Sequence, residues 1–104
     1  MKHYIIFSAF PDVQTAEKAA HDLLEKRLIA CASIIDPVRS LYRWKGTIEE
    51  SAEVLLKIKT SEAVLAEAIG KIEMIHPYEV PEITAVEIGQ GNHSYLKWIE
   101  ECTC

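Results

Sequence analysis

The connector formed by residues His76–Glu82 (HPYEVPE) concentrates the side chains of this chain that are best suited to binding chemistry. It carries one imidazole, one phenol and two carboxylates, and its two prolines fix the backbone φ at two points. Imidazole nitrogen and carboxylate oxygen are both ligands of divalent metal ions. We therefore predict His76 as a metal ligand, with Glu79 and Glu82 as further candidates. Because an extended segment points alternate side chains to opposite sides, the three need not converge within one subunit.

His76 also has a purely structural interpretation, because a histidine that follows a helix can bond a backbone carbonyl at the helix end. The aromatic residues give a second hypothesis, an aromatic-lined cleft between subunits that holds a small molecule. Its alternative is packing in the core and in interfaces. The predicted cleft is lined by Trp44, Lys59, Thr60, Tyr78, Glu82, Tyr95 and Trp98.

The remaining reactive side chains do not predict catalysis. Three cysteines cannot form a disulfide framework. Cys31 lies in an apolar run and is predicted as a small buried residue, whereas Cys102 and Cys104 either chelate a soft metal or are incidental. The sequence contains no Gly-x-Ser-x-Gly elbow and no glycine-rich phosphate loop, so we predict that the protein is not an enzyme.

Charge and hydropathy restrict the partners. The chain has 104 residues, and its 16 acidic and 11 basic side chains give a formal charge of −5. Nucleic-acid binding requires clustered Lys and Arg, and a membrane span requires about 20 consecutive apolar residues. Neither is present in the sequence. We predict a cytoplasmic protein that binds neither nucleic acid nor membrane.

The elements that must position these residues follow from periodicity and turn signals. Asp12 and Ser61 are predicted helix caps, Asp36-Pro37 interrupts a long strand, and Lys45-Gly46 makes a hairpin turn. Strands are predicted over 3–10, 31–44, 47–60 and 83–88. Helices are predicted over 13–27 and 62–75, with a short last helix that starts at Asn92 or Ser94.

This order predicts one domain over residues 1–104, an α+β ferredoxin-like sandwich (βαββαβ) with a short C-terminal helix. Two strands of about 13 residues extend some 40 Å, whereas a globule of this size is about 34 Å across. The hairpin should therefore protrude. Its tip carries Leu41, Tyr42, Trp44 and Ile48, and covering these apolar groups predicts a homo-oligomer.

Five blocks of the sequence resemble, in order, the CutA divalent-cation tolerance family. The blocks are RLIACA at 27–32, SLYRWKG at 40–46, EVLLKIKT at 53–60, HPYEVPE at 76–82 and YLKW at 95–98. The resemblance extends over nearly the whole chain. It implies a ferredoxin-like subunit, a homotrimer similar in architecture to the PII signalling proteins, and a cytoplasmic role linked to copper tolerance.

The resemblance carries over the family's metal ligands only in part. Copper binding proposed in the family uses a cysteine at the end of the first strand and two successive histidines at the connector. The matching positions here are Ser8 and the pair Ile75-His76, so only His76 agrees. The implied function is weak binding of Cu²⁺ or another divalent cation. The alternative is a PII-like module that binds a small molecule or a partner protein in the cleft between subunits.

Overall fold

The computed structural model describes residues 1–103, which form one antiparallel four-stranded sheet and three helices. Cys104 lies outside the described residues. The strands are β1 His3–Phe10, β2 Cys31–Trp44, β3 Thr47–Ser61 and β4 Thr84–Glu87. The helices are α1 Val13–Glu25, α2 Leu65–Ile75 and α3 His93–Cys102. The strand order β2-β3-β1-β4 confirms the predicted ferredoxin-like α+β architecture.

Local capping chemistry determines where α1 begins and ends. The Asp12 carboxylate accepts a hydrogen bond of 2.8 Å from the Thr15 N–H, which satisfies one of the free amides of the first turn. Arg27 adopts φ +57°, a left-handed conformation that turns the chain out of the helix. The Asp12 cap is confirmed, and α1 ends at Glu25, two residues before the predicted boundary.

The β2–β3 hairpin is the most extended part of the subunit. Lys45 and Gly46 both have positive φ, the conformation that a two-residue hairpin turn requires. The strand register shifts between Ile35 and Val38, so the predicted interruption at Asp36-Pro37 is a bulge within one continuous strand. The subunit measures 44 × 26 × 22 Å, and its long dimension confirms that the hairpin protrudes.

The predicted start of the second helix is wrong. Ser61 does not cap α2, because it is the last residue of β3 and pairs with His3. Its hydroxyl lies 2.7 Å from the Thr103 hydroxyl and is therefore unavailable to the helix. The helix begins at Leu65, after Val64, which supplies no side-chain cap. The fourth strand is likewise shorter than predicted, with four residues.

The strand register separates two faces of the sheet, because directly paired residues point to the same side. One face packs on α1 and α2 and holds the core, which includes Ile6, Phe10, Leu56, Ile58, Leu23 and Ile72. The opposite side, which we call the open face, carries Ile5, Phe7, Leu55, Lys57, Lys59 and Cys31. Helix α3 covers one end of the open face, since Glu100 and Thr103 reach His3 and Ser61.

Candidate functional site

A groove of about 830 Å³ lies between the connector and the half of the β2–β3 hairpin that is nearer to the turn. It brings together rings and carboxylates from β2, β3 and the connector. Its aromatic and acidic lining consists of Tyr42, Trp44, Tyr78, Glu53, Glu79 and Glu82. Of the predicted cleft residues, Trp44, Tyr78 and Glu82 therefore share this groove.

The His76 imidazole sits where α2 ends and the connector begins. Pro77 disfavours helical geometry at the residue before it, and His76 is extended, with φ −69° and ψ 136°. The ring is 8% exposed and stacks on Phe10, with ring centroids 4.2 Å apart. On its other side Tyr78 lies at 5.0 Å.

Both ring nitrogens of His76 are engaged in hydrogen bonds. Nε2 lies 2.8 Å from the Ala9 carbonyl oxygen, which only accepts, so Nε2 carries the proton. Nδ1 lies 3.1 Å from the Tyr78 backbone N–H and accepts from it. Burial lowers the pKa of His76, and the Ala9 carbonyl and the Glu53 carboxylate offset only part of that effect. His76 is thus a neutral imidazole that fastens the connector to β1.

This geometry does not fit a metal ion at His76. A metal needs a free imidazole lone pair, and the Nδ1 lone pair is already used by the Tyr78 amide. Within residues 1–103, no group of three or more His, Cys, Asp or Glu side chains is arranged to hold a metal. Glu79 and Glu82 are both exposed, and the Thr84 hydroxyl donates to Glu82 at 3.3 Å.

A second contact fastens the connector to β3. The Tyr78 hydroxyl donates to the Glu53 carboxylate at 2.7 Å. Burial raises the pKa of Tyr78, and the bond to Glu53 raises it further, so the phenol keeps its proton. Glu53 was not among the residues predicted for the site. In the sequence it appears only as a charged residue at the start of the alternating strand positions that continue through Leu55 and Lys57.

The other predicted cleft residues lie elsewhere. Lys59, Tyr95 and Trp98 meet at the end of the open face that α3 covers: the Lys59 Nζ lies 6.0 Å from the Tyr95 ring centroid, and the Tyr95 and Trp98 rings lie 5.5 Å apart. The Cys31 sulfur lies 3.6 Å from the Tyr95 hydroxyl and is half-buried, not fully buried as predicted. Thr60 is fully buried on the helix side, where its hydroxyl donates to the Leu28 carbonyl.

Ser8, which matches the family's cysteine position, faces the core. It lies between Ile6 and Phe10 on the helix side of β1 and is fully buried. Its hydroxyl has no hydrogen-bond partner in residues 1–103. In this subunit, Ser8 thus supplies a buried polar atom to an otherwise apolar environment.

Comparison with known proteins gives a consistent result. The family model of the CutA1 divalent ion tolerance protein matches residues 4–102. The chain is 42% identical to the divalent-cation tolerance protein CutA of Pyrococcus horikoshii, over 95% of this chain and 96% of that protein. The crystal structure of CutA from Xylella fastidiosa has a TM-score of 0.96 at 38% identity and covers all of both chains.

Other relatives differ in length and in the compartment that their names state. The chain is 40% identical to human protein CutA over 93% of its own length but spans only 54% of that protein. A solved relative from Archaeoglobus fulgidus, described as periplasmic, has a TM-score of 0.92 at 36% identity and covers 96% of this chain and 97% of that one. No helix in residues 1–103 is long and apolar enough to cross a membrane. On the match to nearly its whole length, the chain belongs to the CutA1 divalent ion tolerance family.

Proposed function

We propose that this protein acts in tolerance to divalent cations, copper among them, as a homotrimer in the cytoplasm, and that it catalyses no reaction. The observation that carries the proposal is the family match over residues 4–102. The printed name of the Pyrococcus horikoshii relative, a divalent-cation tolerance protein, supports the cation class.

Exposed apolar side chains on the protruding hairpin support self-association. Leu41 is 62% exposed and Ile48 is 72% exposed, while Tyr42 and Trp44 are each at least 40% exposed. The strand register puts Leu41 and Ile48 on one face of the hairpin and Tyr42 and Trp44 on the other, so both faces carry apolar side chains that a protein–protein contact would cover. A second copy is the partner that supplies a matching hairpin. Analytical ultracentrifugation should give a mass of about 35 kDa, three times 11.7 kDa, and a mass of 11.7 kDa would contradict the trimer.

We place cation binding at the exposed carboxylates Glu79 and Glu82 and not at His76. Both carboxylates line the groove beside the hairpin, and a second subunit would have to complete the coordination. Carboxylate oxygens without imidazole or thiolate bind copper weakly and with little selectivity. His76 then serves to fasten the connector to β1 and is not a ligand.

Calorimetric titration with Cu²⁺ tests this assignment in a background in which Cys102 and Cys104 are both replaced by Ser. Glu79→Gln combined with Glu82→Gln should weaken binding by about tenfold or more, because each change removes a charged ligand. His76→Asn should leave the affinity within about twofold of the starting protein.

The matched control for lost charge is Glu17→Gln combined with Glu25→Gln, two exposed residues of α1. This variant should bind Cu²⁺ like the starting protein. If His76→Asn abolished binding while the groove carboxylate variant kept it, the imidazole would be the ligand and the assignment to Glu79 and Glu82 would be wrong.

The shape of the groove supports a second candidate function, a PII-like module that binds a small molecule or a partner protein. A volume of about 830 Å³ is in the range of ligand pockets, and Tyr42, Trp44 and Tyr78 provide aromatic surface. In metal-free buffer, a ligand of this groove should raise the melting temperature of the protein and of a Lys18→Met control, but not that of Trp44→Ala. Equal shifts in all three proteins would exclude the groove as the binding site.

A further inference from the structure

The connector is held in place by side chains and not by its backbone. Residues 77–82 belong to no helix or strand, and within residues 1–103 none of their backbone groups is hydrogen-bonded to another backbone group. The bonds that tie this segment to the anchored His76 ring and to β3 both start at Tyr78: its amide donates to His76 Nδ1 at 3.1 Å, and its hydroxyl donates to Glu53 at 2.7 Å. Segments with so few attachments open at a lower free energy than the whole domain.

The two hydrogen bonds of the His76 ring respond differently to a proton. Nε2 donates to the Ala9 carbonyl and continues to donate when the ring is charged. Nδ1 accepts from the Tyr78 amide, but in an imidazolium ion it carries a hydrogen of its own. Two donors then face each other, and the bond to the Tyr78 amide is lost. A proton thus breaks the contact on the connector side and keeps the contact to β1.

The groups around His76 decide how readily the ring is charged. From β1 it meets an aromatic ring and a carbonyl, neither of which titrates. The Glu53 carboxylate of β3 favours the charged ring, Asp12 acts on the Tyr78 phenol, and Glu73 in the last turn of α2 is exposed. Burial outweighs Glu53 and lowers the pKa of His76, so the ring binds a proton more tightly once Tyr78 has moved away and water reaches it.

We propose that the connector is a pH-sensitive switch: a proton on His76 Nδ1 releases residues 77–82 while the sheet and the helices stay folded. Release opens the wall of the groove that the connector forms. The switch goes beyond the proposed cation binding and does not depend on it, because its trigger is a proton and its parts are His76, Tyr78 and Glu53.

Amide hydrogen exchange, followed by nuclear magnetic resonance in metal-free buffer between pH 7.5 and 5, tests the switch. The protection factor compares the observed rate with that of an unstructured peptide at the same pH, which removes the direct effect of pH on exchange. We expect the protection factor of the Tyr78 amide to fall by about tenfold. The fall should have the same midpoint as the titration of the His76 ring protons.

Two other amides serve as internal controls. The Ala30 amide donates to the Lys59 carbonyl at 2.8 Å, and the Ala68 amide donates to the Val64 carbonyl at 2.9 Å. Neither bond involves the connector. Their protection factors should therefore stay within about twofold over the same pH range.

Three variants separate the proton on His76 from other effects of pH. In His76→Asn the side-chain oxygen accepts from the amide two residues further on and does not titrate, so the protection of the Tyr78 amide should be the same at every pH. His21→Asn, at an exposed position of α1, should respond like the wild type. Tyr78→Phe removes the bond to Glu53 and should lower the protection of the residue 78 amide at every pH.

Three results would overturn the proposal. The first is a protection factor of the Tyr78 amide that does not change with pH in the wild type, a result that needs no variant to fold. The second is a parallel fall at Ala30 and Ala68, which is unfolding of the whole subunit. The third is the same fall in His76→Asn as in the wild type, which would place the trigger at another group.

Discussion

Two buried polar side chains near the end of β1 differ in how well their hydrogen-bonding groups are satisfied. His76 has a partner for each ring nitrogen, while the Ser8 hydroxyl has none in the part of the chain that the structure describes. A buried polar group whose hydrogen bonds are all made holds its neighbours in one arrangement. A buried polar group without a hydrogen-bond partner lowers the free energy of unfolding. The two residues should therefore respond to substitution in opposite ways.

Replacing Ser8 by Ala should stabilise the protein. The change removes an unsatisfied hydroxyl from the core and leaves only a very small space, so the free energy of unfolding should rise by about 1 kcal/mol. Chemical denaturation at fixed protein concentration measures the change. The control is Ser33→Ala on an exposed stretch of β2, which should alter the free energy of unfolding by less than about 0.5 kcal/mol. A destabilised Ser8→Ala would mean that the hydroxyl has a partner.

The His76 imidazole should make stability fall as pH falls. Burial lowers the pKa of this group in the folded protein, so the unfolded chain takes up its proton first, near the ordinary value of about 6.5. The contribution of His76 is therefore complete at neutral pH and is lost as pH falls from about 7 towards and below the folded-state pKa, with a slope of at most about 1.4 kcal/mol per pH unit.

Denaturation of the wild type and of His76→Asn at several pH values between 7.5 and 5 checks this dependence. The difference in free energy of unfolding between the two proteins should shrink as pH falls. His21→Asn, at an exposed position of α1, serves as the control and should run parallel to the wild type. If the difference in free energy of unfolding between the wild type and His76→Asn stayed constant over this pH range, the imidazole would take up its proton equally in the folded and the unfolded protein.

At the scale of elements, the hairpin and α3 differ in the kind of contact that they offer. The hairpin extends away from the core and presents apolar side chains, whereas α3 closes one end of the open face through polar contacts. Those contacts are His3 with Glu100 at 2.7 Å, Ser61 with Thr103 at 2.7 Å, and Arg27 with the Glu101 carbonyl at 2.7 Å.

Substituting Ile48 by Glu should dissociate the assembly. The side chain is 72% exposed in the subunit, so a charge there leaves the fold intact but cannot be buried against a second copy. Sedimentation should show a folded species of 11.7 kDa. Met74→Glu is the matched control: Met74 is 76% exposed but lies on α2, away from the hairpin, and the variant should keep the mass of the wild type.

The hydroxyl pair that docks α3 should show strong coupling between its two members. Thr103→Val leaves the buried Ser61 hydroxyl without its partner and should cost about 1–2 kcal/mol of unfolding free energy. In the double variant with Ser61→Ala, no unpaired hydroxyl remains, so the total loss should be smaller than the sum of the two single losses. Additive losses would show that the two hydroxyls do not depend on each other.

Elements were predictable from the sequence because their signals are local. Alternation placed Val54, Leu56 and Ile58 on the buried face of β3, and the Asp12 cap lies next to the helix that it begins. The start of α2 was missed because the Ser61 hydroxyl is taken by Thr103, 42 residues away in the sequence. Distant pairings of this kind have no local signature.

The candidate site was predictable only as a set of residues, not as an arrangement. The sequence indicated the connector and the aromatic residues, and the groove does join Trp44, Tyr78 and Glu82. Lys59 and Thr60 cannot line the same cleft, because neighbouring residues of a strand point to opposite faces of the sheet. The orientation of His76 depends on the Ala9 carbonyl, which no sequence pattern reveals.

At the scale of the whole molecule, the protruding hairpin makes the subunit much longer than it is wide, with extents of 44, 26 and 22 Å. Strand β2 lies at one edge of the sheet over 14 residues and exposes its free backbone groups along that length. Both features are covered if subunits associate, so folding stability and assembly should be linked.

The melting temperature should therefore depend on protein concentration. For an oligomer that unfolds to monomers, mass action raises the melting temperature as the concentration rises. Calorimetry across a hundredfold range of concentration should show a steady rise for the wild type and none for Ile48→Glu. A melting temperature that is the same at every concentration in the wild type would show that assembly adds nothing to stability.

The position of the His76 ring between Phe10 and Tyr78 has a practical consequence for nuclear magnetic resonance. Protons held over a neighbouring aromatic ring are shifted by its ring current, and His76 stacks on Phe10 at 4.2 Å. Two of the chain's four histidines, His21 and His93, are exposed and make no aromatic contact in residues 1–103. The imidazole protons of His76 should thus appear apart from theirs, and a one-dimensional proton spectrum reports whether the connector is in place in each variant.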